Sequence, residues 1–296
     1  MRWIKRILKG LLVFVAMLTV LFGVLVWRGA AVLNQHWDIN VAVPSVPAAE
    51  ADIVEGKRIA TIRGCLGCHG DDLGGQLIAD TPIGMLIAPN LTRGQGSVVS
   101  AFQDADWQRA IRHGVGPSGR ALLVMPSDDN TNMTETDFAN LLGYLKSVPA
   151  VDRDHPKMQL NLLGKALLGA GQLPLLAAER IDHTQLPTEQ AADASAEHGR
   201  YLAQICTGCH GRNFAGGPIP GMPPDHPPAA NLSAAGESHS WTLAQFSTTL
   251  RTGVRPDGRQ MLPDNMPWNA FSAMSDTEVE ALYRYFQSLP AANQRN

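Results

Sequence analysis

The first thirty residues divide into a cationic head and an apolar run. Four basic residues lie within the first nine positions, and residues 11–27 then carry no charge. A helix of this length spans about 25 Å, close to the thickness of a bilayer's hydrocarbon core. We predict a membrane anchor over residues 1–28, with a cleaved signal peptide as the alternative. In both cases the positive-inside rule places everything after Arg28 outside the cytoplasm.

A spacer with little apolar periodicity follows the anchor. Residues 29–49 include Pro44 and Pro47, which predicts an extended linker. At about 3 Å per residue, it would let the next domain stand up to roughly 60 Å from the membrane.

Beyond the spacer, apolar positions recur at helical spacing in two similar blocks. Each block predicts a helix near its start, over residues 50–64 and 197–205, and a better-defined helix near its end. Thr134 and Ser275 have N-cap spacing to an acidic residue three positions later, and Pro149 and Pro290 would end the last helices. Two glycines, Gly56 and Gly199, are suited to a close approach of the first and last helices beside Tyr144 and Tyr285.

The two blocks are copies of one domain. Several matching residues lie 141 positions apart, namely Cys65 and Cys206, Asn90 and Asn231, Met125 and Met266, and Pro149 and Pro290. The predicted fold is mainly α, an N-terminal transmembrane helix followed by two tandem domains at 50–150 and 192–296. Residues 151–191 form the connector.

The distribution of charge along the chain narrows the range of possible partners. Five of the 24 basic residues lie at or before Arg28, whereas all 27 acidic residues lie beyond it, so the exported part has a net charge of −8. An acidic surface argues against nucleic acid as a partner.

All four cysteines belong to two copies of one motif. "CLGCH" begins at Cys65 and "CTGCH" at Cys206, which is the attachment signature of c-type haem. Cys65 and Cys68, or Cys206 and Cys209, would bind the porphyrin. A redox dithiol or a zinc site is the alternative, but neither requires a histidine after each pair. His69 and His210 would each supply one axial nitrogen.

Each block resembles a class I cytochrome c, with a helix leading into C-x-x-C-H, a loop rich in glycine and proline, a methionine and a final helix. The stretch "MPWNAFSAMSDTEVEALYRYFQSLP" is similar to the membrane-bound cytochrome subunits of quinoprotein and flavoprotein dehydrogenases acting on alcohols, aldehydes and sugars. Those subunits commonly carry three haem domains, whereas this chain has two. The resemblance implies two covalently bound haem c groups.

Methionine is the expected second axial ligand. Met125 and Met266 each lie 56 residues after the motif histidine, and each is followed by proline. Their rivals, Met133 and Met274, directly precede the N-caps of the last helices, where a hydrophobic staple explains them better.

Several further residues are weaker candidates. Four arginines that recur in both copies are suited to pairing with haem propionates, namely Arg112, Arg120, Arg251 and Arg259. In the family, a proline carbonyl often orients the axial imidazole, which suggests Pro82 in the first domain and Pro218 or Pro220 in the second. His113 has no counterpart in the second copy and is expected to be a solvated loop residue.

The connector contains an apolar stretch, residues 157–176, with Lys165 and three glycines. It is expected to cover a domain or the domain interface, and a surface for the membrane or a partner subunit is the alternative.

These observations predict a dihaem electron carrier tethered to the bacterial cytoplasmic membrane, with its haem domains in the periplasm. It would pass electrons from a dehydrogenase or reductase to an oxidase or another cytochrome, free or as a dehydrogenase subunit, and would not be an enzyme by itself. A dihaem cytochrome c peroxidase is the alternative, but it needs an open iron and two unlike haem sites, whereas both copies here have the same spacing from histidine to methionine.

Overall fold

A computed structural model describes residues 2–41, 51–223 and 225–293, and its first element is one long helix. This helix, α1 (Arg2–Leu33), has its apolar side chains exposed along most of its length. It is long and apolar enough to cross a membrane. The predicted anchor therefore forms the expected helix, which continues five residues past Arg28.

The extended spacer is not present over residues 29–41. Residues 29–33 belong to α1, and the Trp37 amide donates to the carbonyl oxygen of Gly119 at 2.7 Å. Ile39 is buried in a small cluster with Val115 and Ala178. A backbone hydrogen bond and isolated apolar side chains thus attach this segment to the first domain and the connector, and these side chains leave no periodic pattern in the sequence. Pro44 and Pro47 lie outside the described residues.

The first domain is built around two helices that cross at a glycine. Its elements are α2 (Ile53–Ile62), α3 (Cys65–His69), β1 (Gln76–Thr81), β2 (Gly84–Ala88), α4 (Asp104–His113) and α5 (Glu135–Ser147). A Cβ atom on Gly56 in α2 would overlap the carbonyl oxygen of Asn140 in α5 and lie 2.8 Å from the Tyr144 Cβ atom. The predicted close approach is confirmed.

The second domain repeats this crossing. Its helices are α7 (Ala196–Leu202), α8 (Thr207–His210), α9 (Leu243–Thr252), α10 (Trp268–Phe271) and α11 (Asp276–Ser288). A Cβ atom on Gly199 would overlap the Ala281 carbonyl oxygen and lie 2.7 Å from the Tyr285 Cβ atom.

The predicted caps of the last helices are confirmed. The Thr134 hydroxyl oxygen accepts from the Asp137 amide at 3.0 Å. In the second domain the Ser275 hydroxyl oxygen accepts from the Glu278 amide, and the Glu278 carboxylate accepts from the Ser275 amide in return. Both helices therefore begin where side-chain acceptors satisfy free amides.

An antiparallel hairpin, which the sequence pattern did not predict, lies in the loop that follows the first C-x-x-C-H motif. Strand β1 pairs with β2, and the turn between them lies against the connector. The side-chain amide of Asn161 donates to the Pro82 carbonyl oxygen at 2.8 Å, and its backbone amide donates to the Ile83 carbonyl oxygen. Helix α6 (Leu162–Gly169) begins there and packs against α1.

The two domains share an interface with both apolar and charged contacts. Ile62 of α2 belongs to the hydrophobic core cluster of the second domain. One Arg63 nitrogen donates to the Tyr201 hydroxyl at 3.0 Å, and that hydroxyl donates to Asp137 at 2.5 Å. Arg58 donates to both carboxylate oxygens of Glu278 at 2.5 and 2.9 Å.

The hydrogen bonds from Arg58 stabilise the ionised form of Glu278. Burial by itself raises the pKa of Glu278, but the hydrogen bonds from Arg58 and the Ser275 amide outweigh it and lower the pKa overall. Arg58→Met should therefore cost about 3 kcal/mol of unfolding free energy at pH 7, because a buried carboxylate loses its partner. Arg284→Met is the matched control, since its exposed pair with Glu280 is worth about 1 kcal/mol or less.

Denaturant unfolding of the full chain in detergent measures both changes. The stabilisation that Arg58 gives a carboxylate with a depressed pKa is present above the unfolded pKa and lost as the pH falls through the folded pKa. The difference between Arg58→Met and wild type should therefore shrink in acid. Equal losses from the two methionine variants at pH 7 would show that the interface pair has no special role.

Candidate haem sites

Each C-x-x-C-H motif forms a short helix with its two thiols on one side. Cys65 and Cys68 are three residues apart in α3, and a left-handed glycine, Gly64, lies between α2 and α3. In the second domain Cys206 is the N-cap residue of α8 and Cys209 lies within that helix, and all four thiols are free. Burial raises the pKa of Cys65 to about 11 and that of Cys206 to about 12, so both are neutral thiols at neutral pH.

Both motif histidines are buried and held in one orientation. The Nδ1 atom of His69 lies 2.9 Å from the Pro89 carbonyl oxygen, and that of His210 lies 2.7 Å from the Ala230 carbonyl oxygen. A carbonyl can only accept, so Nδ1 carries the proton and Nε2 keeps its lone pair. Burial lowers the pKa of both imidazoles more than these bonds raise it, which favours the neutral form that binds iron.

These carbonyl partners correct the sequence prediction. The Pro82 carbonyl oxygen accepts from Asn161 of the connector instead, at the hairpin turn, and Ala230 takes the role expected of Pro218 or Pro220. The true partners both lie 20 residues after their histidine and directly before an asparagine. The repeated "APNLT" and "AANLS" segments carried the signal, because proline itself is not required for a carbonyl acceptor.

The asparagines of these segments, which served only to align the repeats in the sequence, hold the carbonyls in place. Asn90 is fully buried, and its Nδ2 atom donates to the Val151 carbonyl oxygen at 2.7 Å. Asn231 makes the equivalent bond to Ala292 at 2.7 Å. Each asparagine thereby ties its haem loop to the chain that follows the last helix.

The loop after each motif also has the same unusual backbone. Leu73 and Phe214, at equivalent positions, both have positive φ angles, 55° and 56°. Such angles are uncommon for residues other than glycine. The Leu73 carbonyl oxygen accepts from the Leu91 amide and that of Phe214 from the Leu232 amide, each at 2.8 Å. Both copies therefore bend the loop back toward the segment that orients the histidine.

The two predicted methionine ligands lie in equivalent tight turns. The amide two residues after Met125 donates to its carbonyl oxygen at 2.9 Å, and the same bond follows Met266 at 2.7 Å. Pro126 and Pro267 lie at the turn centres with φ near −80° and ψ near 55°, which are inverse γ-turn angles. Both methionine side chains are partly buried. The structure thus gives the two methionines the same backbone setting.

The rival methionines have core positions. Met133 is 1 % exposed and belongs to the same apolar cluster as Phe138, and Met274 is 3 % exposed and packs in the cluster that contains Val279. These are the staple partners expected from the sequence, four residues into each last helix.

Arg112 and Arg251, two of the predicted propionate partners, bind protein groups beside the last helix of each domain. Arg112 is buried, and its guanidinium donates to Glu135 and to the Met133 carbonyl oxygen. Arg251 donates to Asp276 and to the Ser272 carbonyl oxygen. Both brace the N-terminus of the last helix, a tertiary role with no sequence signature. Pairing of these four arginines with haem propionates stays a prediction.

Sequence analysis did not predict that two ionisable groups, His113 and Asp129, would be buried. His113 is buried at the end of α4, with its Nδ1 atom 3.1 Å from that of His183, and is not a solvated loop residue. Asp129 accepts a hydrogen bond from Thr207 in the second motif. Burial, with help from Asp128, raises the pKa of Asp129 to about 6.

The donor set suits haem c. Each copy combines two thiols on one helical side with a neutral imidazole whose Nε2 lone pair is available, and no group of three or more candidate metal-binding side chains occurs in the described ranges. This arrangement matches covalent attachment with histidine ligation and gives no support to a zinc site.

A family model of cytochrome c matches the chain twice, over residues 53–149 and 196–290. The chain belongs to the cytochrome c family. Membership implies covalently bound haem c and a role in electron transfer, and the two matches confirm the tandem fold predicted from the repeat.

Known relatives of this cytochrome include subunits of larger enzymes. It is 27% identical to a nicotinate dehydrogenase subunit of Pseudomonas putida over 94% of this chain and 24% of the relative. It is 26% identical to the fructose dehydrogenase cytochrome subunit of Gluconobacter japonicus over 82% of this chain and 54% of that relative. It is also 26% identical to a dihaem cytochrome c-type protein of Cereibacter sphaeroides, over 80% and 85% of the two chains. The cytochrome thus spans a quarter to about half of the first two relatives.

Proposed function

We propose that the chain is a membrane-anchored dihaem cytochrome c that transfers electrons on the periplasmic side of the bacterial cytoplasmic membrane. Cys65 and Cys68 would hold one haem, with His69 and Met125 as axial ligands. The second haem would be held by the equivalent set, Cys206, Cys209, His210 and Met266. The observation that supports this most is that both copies hold histidine and methionine in matching backbone settings.

The chain's own residues prepare each site for one task. The carbonyls of Pro89 and Ala230 fix the imidazoles in the ligating tautomer, and the proline turns place Met125 and Met266 alike. With a histidine and a methionine bound to its iron, each haem would supply one-electron transfer and would leave no iron position for a substrate. Two matching sites therefore favour a carrier over a dihaem peroxidase, whose sites must differ.

The relatives suggest the electron donor. Two of them are parts of dehydrogenases by name, so we propose that a dehydrogenase supplies electrons, and that an oxidase or another cytochrome receives them. Helix α1 would hold the chain in the membrane by a single crossing, with its cationic end in the cytoplasm.

Haem content per chain tests the two-site assignment. The pyridine haemochrome of the purified full chain should correspond to two haems. Replacing Cys65 and Cys68 by alanine, or Cys206 and Cys209 by alanine, should remove one haem each, because each thioether pair belongs to one site. A chain that keeps both haems after either change would contradict the assignment.

The carrier role has its own test. Membranes from a strain without this chain should lose cytochrome reduction by one dehydrogenase substrate, and the intact chain should restore it. The purified chain should show no peroxidase turnover with a reduced donor protein. Peroxide turnover at an enzymatic rate would favour the alternative function.

A further inference from the structure

Helix α6 and the outer end of α1 pack together through glycines. A Cβ atom on Gly29 would overlap the Lys165 carbonyl oxygen, and one on Gly169 would overlap the carbonyl oxygen of Leu25. The pairing of residue 29 with 165 and of 25 with 169 shows that the helices run antiparallel. Their backbones are therefore in direct contact along one turn.

This contact fixes the level of α6 relative to the bilayer. Trp27 is 71 % exposed and ends the apolar run, and Arg28 follows it. Tryptophan and arginine at the end of a membrane helix mark the headgroup region. Gly169 lies beside Leu25, two residues or about 3 Å deeper than Trp27. The last turn of α6 thus reaches the edge of the hydrocarbon core.

The side of α6 away from the protein is apolar. Leu163, Leu167 and Ala170 follow helical spacing on one side, and Leu163 is 45 % exposed. Leu162 beside them is 61 % exposed. The opposite side of α6 is buried, through Gly164 and Leu168. The exposed leucines of α6 therefore need an apolar environment on the outer side of the helix.

The polar groups of α6 are compatible with lipid. The carbonyl oxygens of Ala166, Leu167 and Leu168 all accept backbone hydrogen bonds from residues 170–172, each at 2.9 Å. These three carbonyl groups, in the turn that lies deepest in the bilayer, are therefore all hydrogen-bonded. Lys165 is the single ionisable residue in 162–172, and its long side chain can reach lipid phosphates from this level.

We propose that α6 is an interfacial helix that enters the outer leaflet beside α1 with its last turn, with phospholipid acyl chains against Leu167 and Ala170 and headgroups against Leu162 and Leu163. Lipid is favoured as the occupant because the surface is continuous with α1, whose side chains are exposed to lipid if it spans the membrane. The inference rests on the proposed anchoring of α1. Through α6 and the hairpin turn, the first domain would be held against the membrane surface.

Photolabelling of the full haem-loaded chain tests this. The chain is reconstituted in vesicles of phosphatidylethanolamine and phosphatidylglycerol that contain a phospholipid with a diazirine in its acyl chain, and labelled peptides are mapped by mass spectrometry. We expect labels in residues 11–27 and in the last turn of α6, at residues 167–170. Leu186 and Leu262, which are 80 % and 61 % exposed, are the reference for exposure alone and should stay near background.

The outcomes separate the two proposals. Labels in α1 with background levels in α6 would overturn the interfacial helix and leave the anchor standing, and this is the result expected if a protein partner covers α6 instead. Absence of labels in α1 would overturn the anchor itself. In the double variant Leu163→Gln, Leu167→Gln, labelling of α6 should fall while that of α1 and the haem spectrum stay unchanged.

Discussion

Replacing Gly56 with alanine should destabilise the first domain by about 3 kcal/mol, at the upper end of the usual cost of overpacking. The new methyl group would overlap the Asn140 carbonyl oxygen, which belongs to the backbone of α5 and cannot rotate away. Helix propensity alone predicts the opposite, since alanine is favoured over glycine inside a helix by about 1 kcal/mol. The sign of the change therefore separates the two effects.

Gly67→Ala is the control for this substitution. Gly67 lies in helix α3 and a Cβ atom there would meet nothing within 4 Å, so its replacement should be neutral or slightly stabilising. Gly199→Ala should reproduce the loss in the second domain. Urea unfolding of the haem-loaded chain in detergent, followed by Soret circular dichroism, measures all three. Similar stabilities for Gly56→Ala and Gly67→Ala would mean that the helix crossing is not tight.

Replacing Met125 or Met266 with leucine should change the haem that the methionine is proposed to ligate. Loss of the thioether should abolish the weak long-wavelength thioether-to-iron absorption of that haem and lower its reduction potential. The fall should be on the order of 0.1 V, a fraction of the about 0.8 V range that axial ligands produce. Redox titration of each purified variant, with its oxidised spectrum, provides the measurement. Each single variant should lose one half of the absorption.

Met133→Leu and Met274→Leu make the same chemical change at buried core positions. They should leave both spectra and potentials unchanged and cost less than about 1.5 kcal/mol of stability. If the core variants, and not the turn variants, removed the long-wavelength absorption, the proposed ligands would be wrong.

Local sequence signals predicted the parts of this fold that depend on local physics. The long first helix follows from an uninterrupted apolar run, and the caps at Thr134 and Ser275 follow from a three-residue spacing. The internal repeat extended this to a tertiary contact, because Gly56 and Gly199 recur opposite two tyrosines and the structure confirms both approaches.

What sequence reasoning missed depends on partners far along the chain. The carbonyl of Pro89 reaches His69 because Asn90 is tied to Val151, a residue 61 positions later. Arg112 donates a hydrogen bond to the Met133 carbonyl oxygen, in the segment before α5. No periodicity or motif reports such contacts, although the repeated asparagine at equivalent positions was a usable signal. The proposed axial methionines stay a prediction.

Ile62 lies three residues before Cys65, yet its side chain is part of the core of the second domain. Helix α2, which leads directly into the first motif, therefore cannot shift relative to the second domain without exposing that core to water. Electron exchange between the two centres would then proceed at one set separation, with no wait for a hinge to close. Its speed would be governed by driving force and reorganisation energy, so solvent viscosity should leave it unchanged.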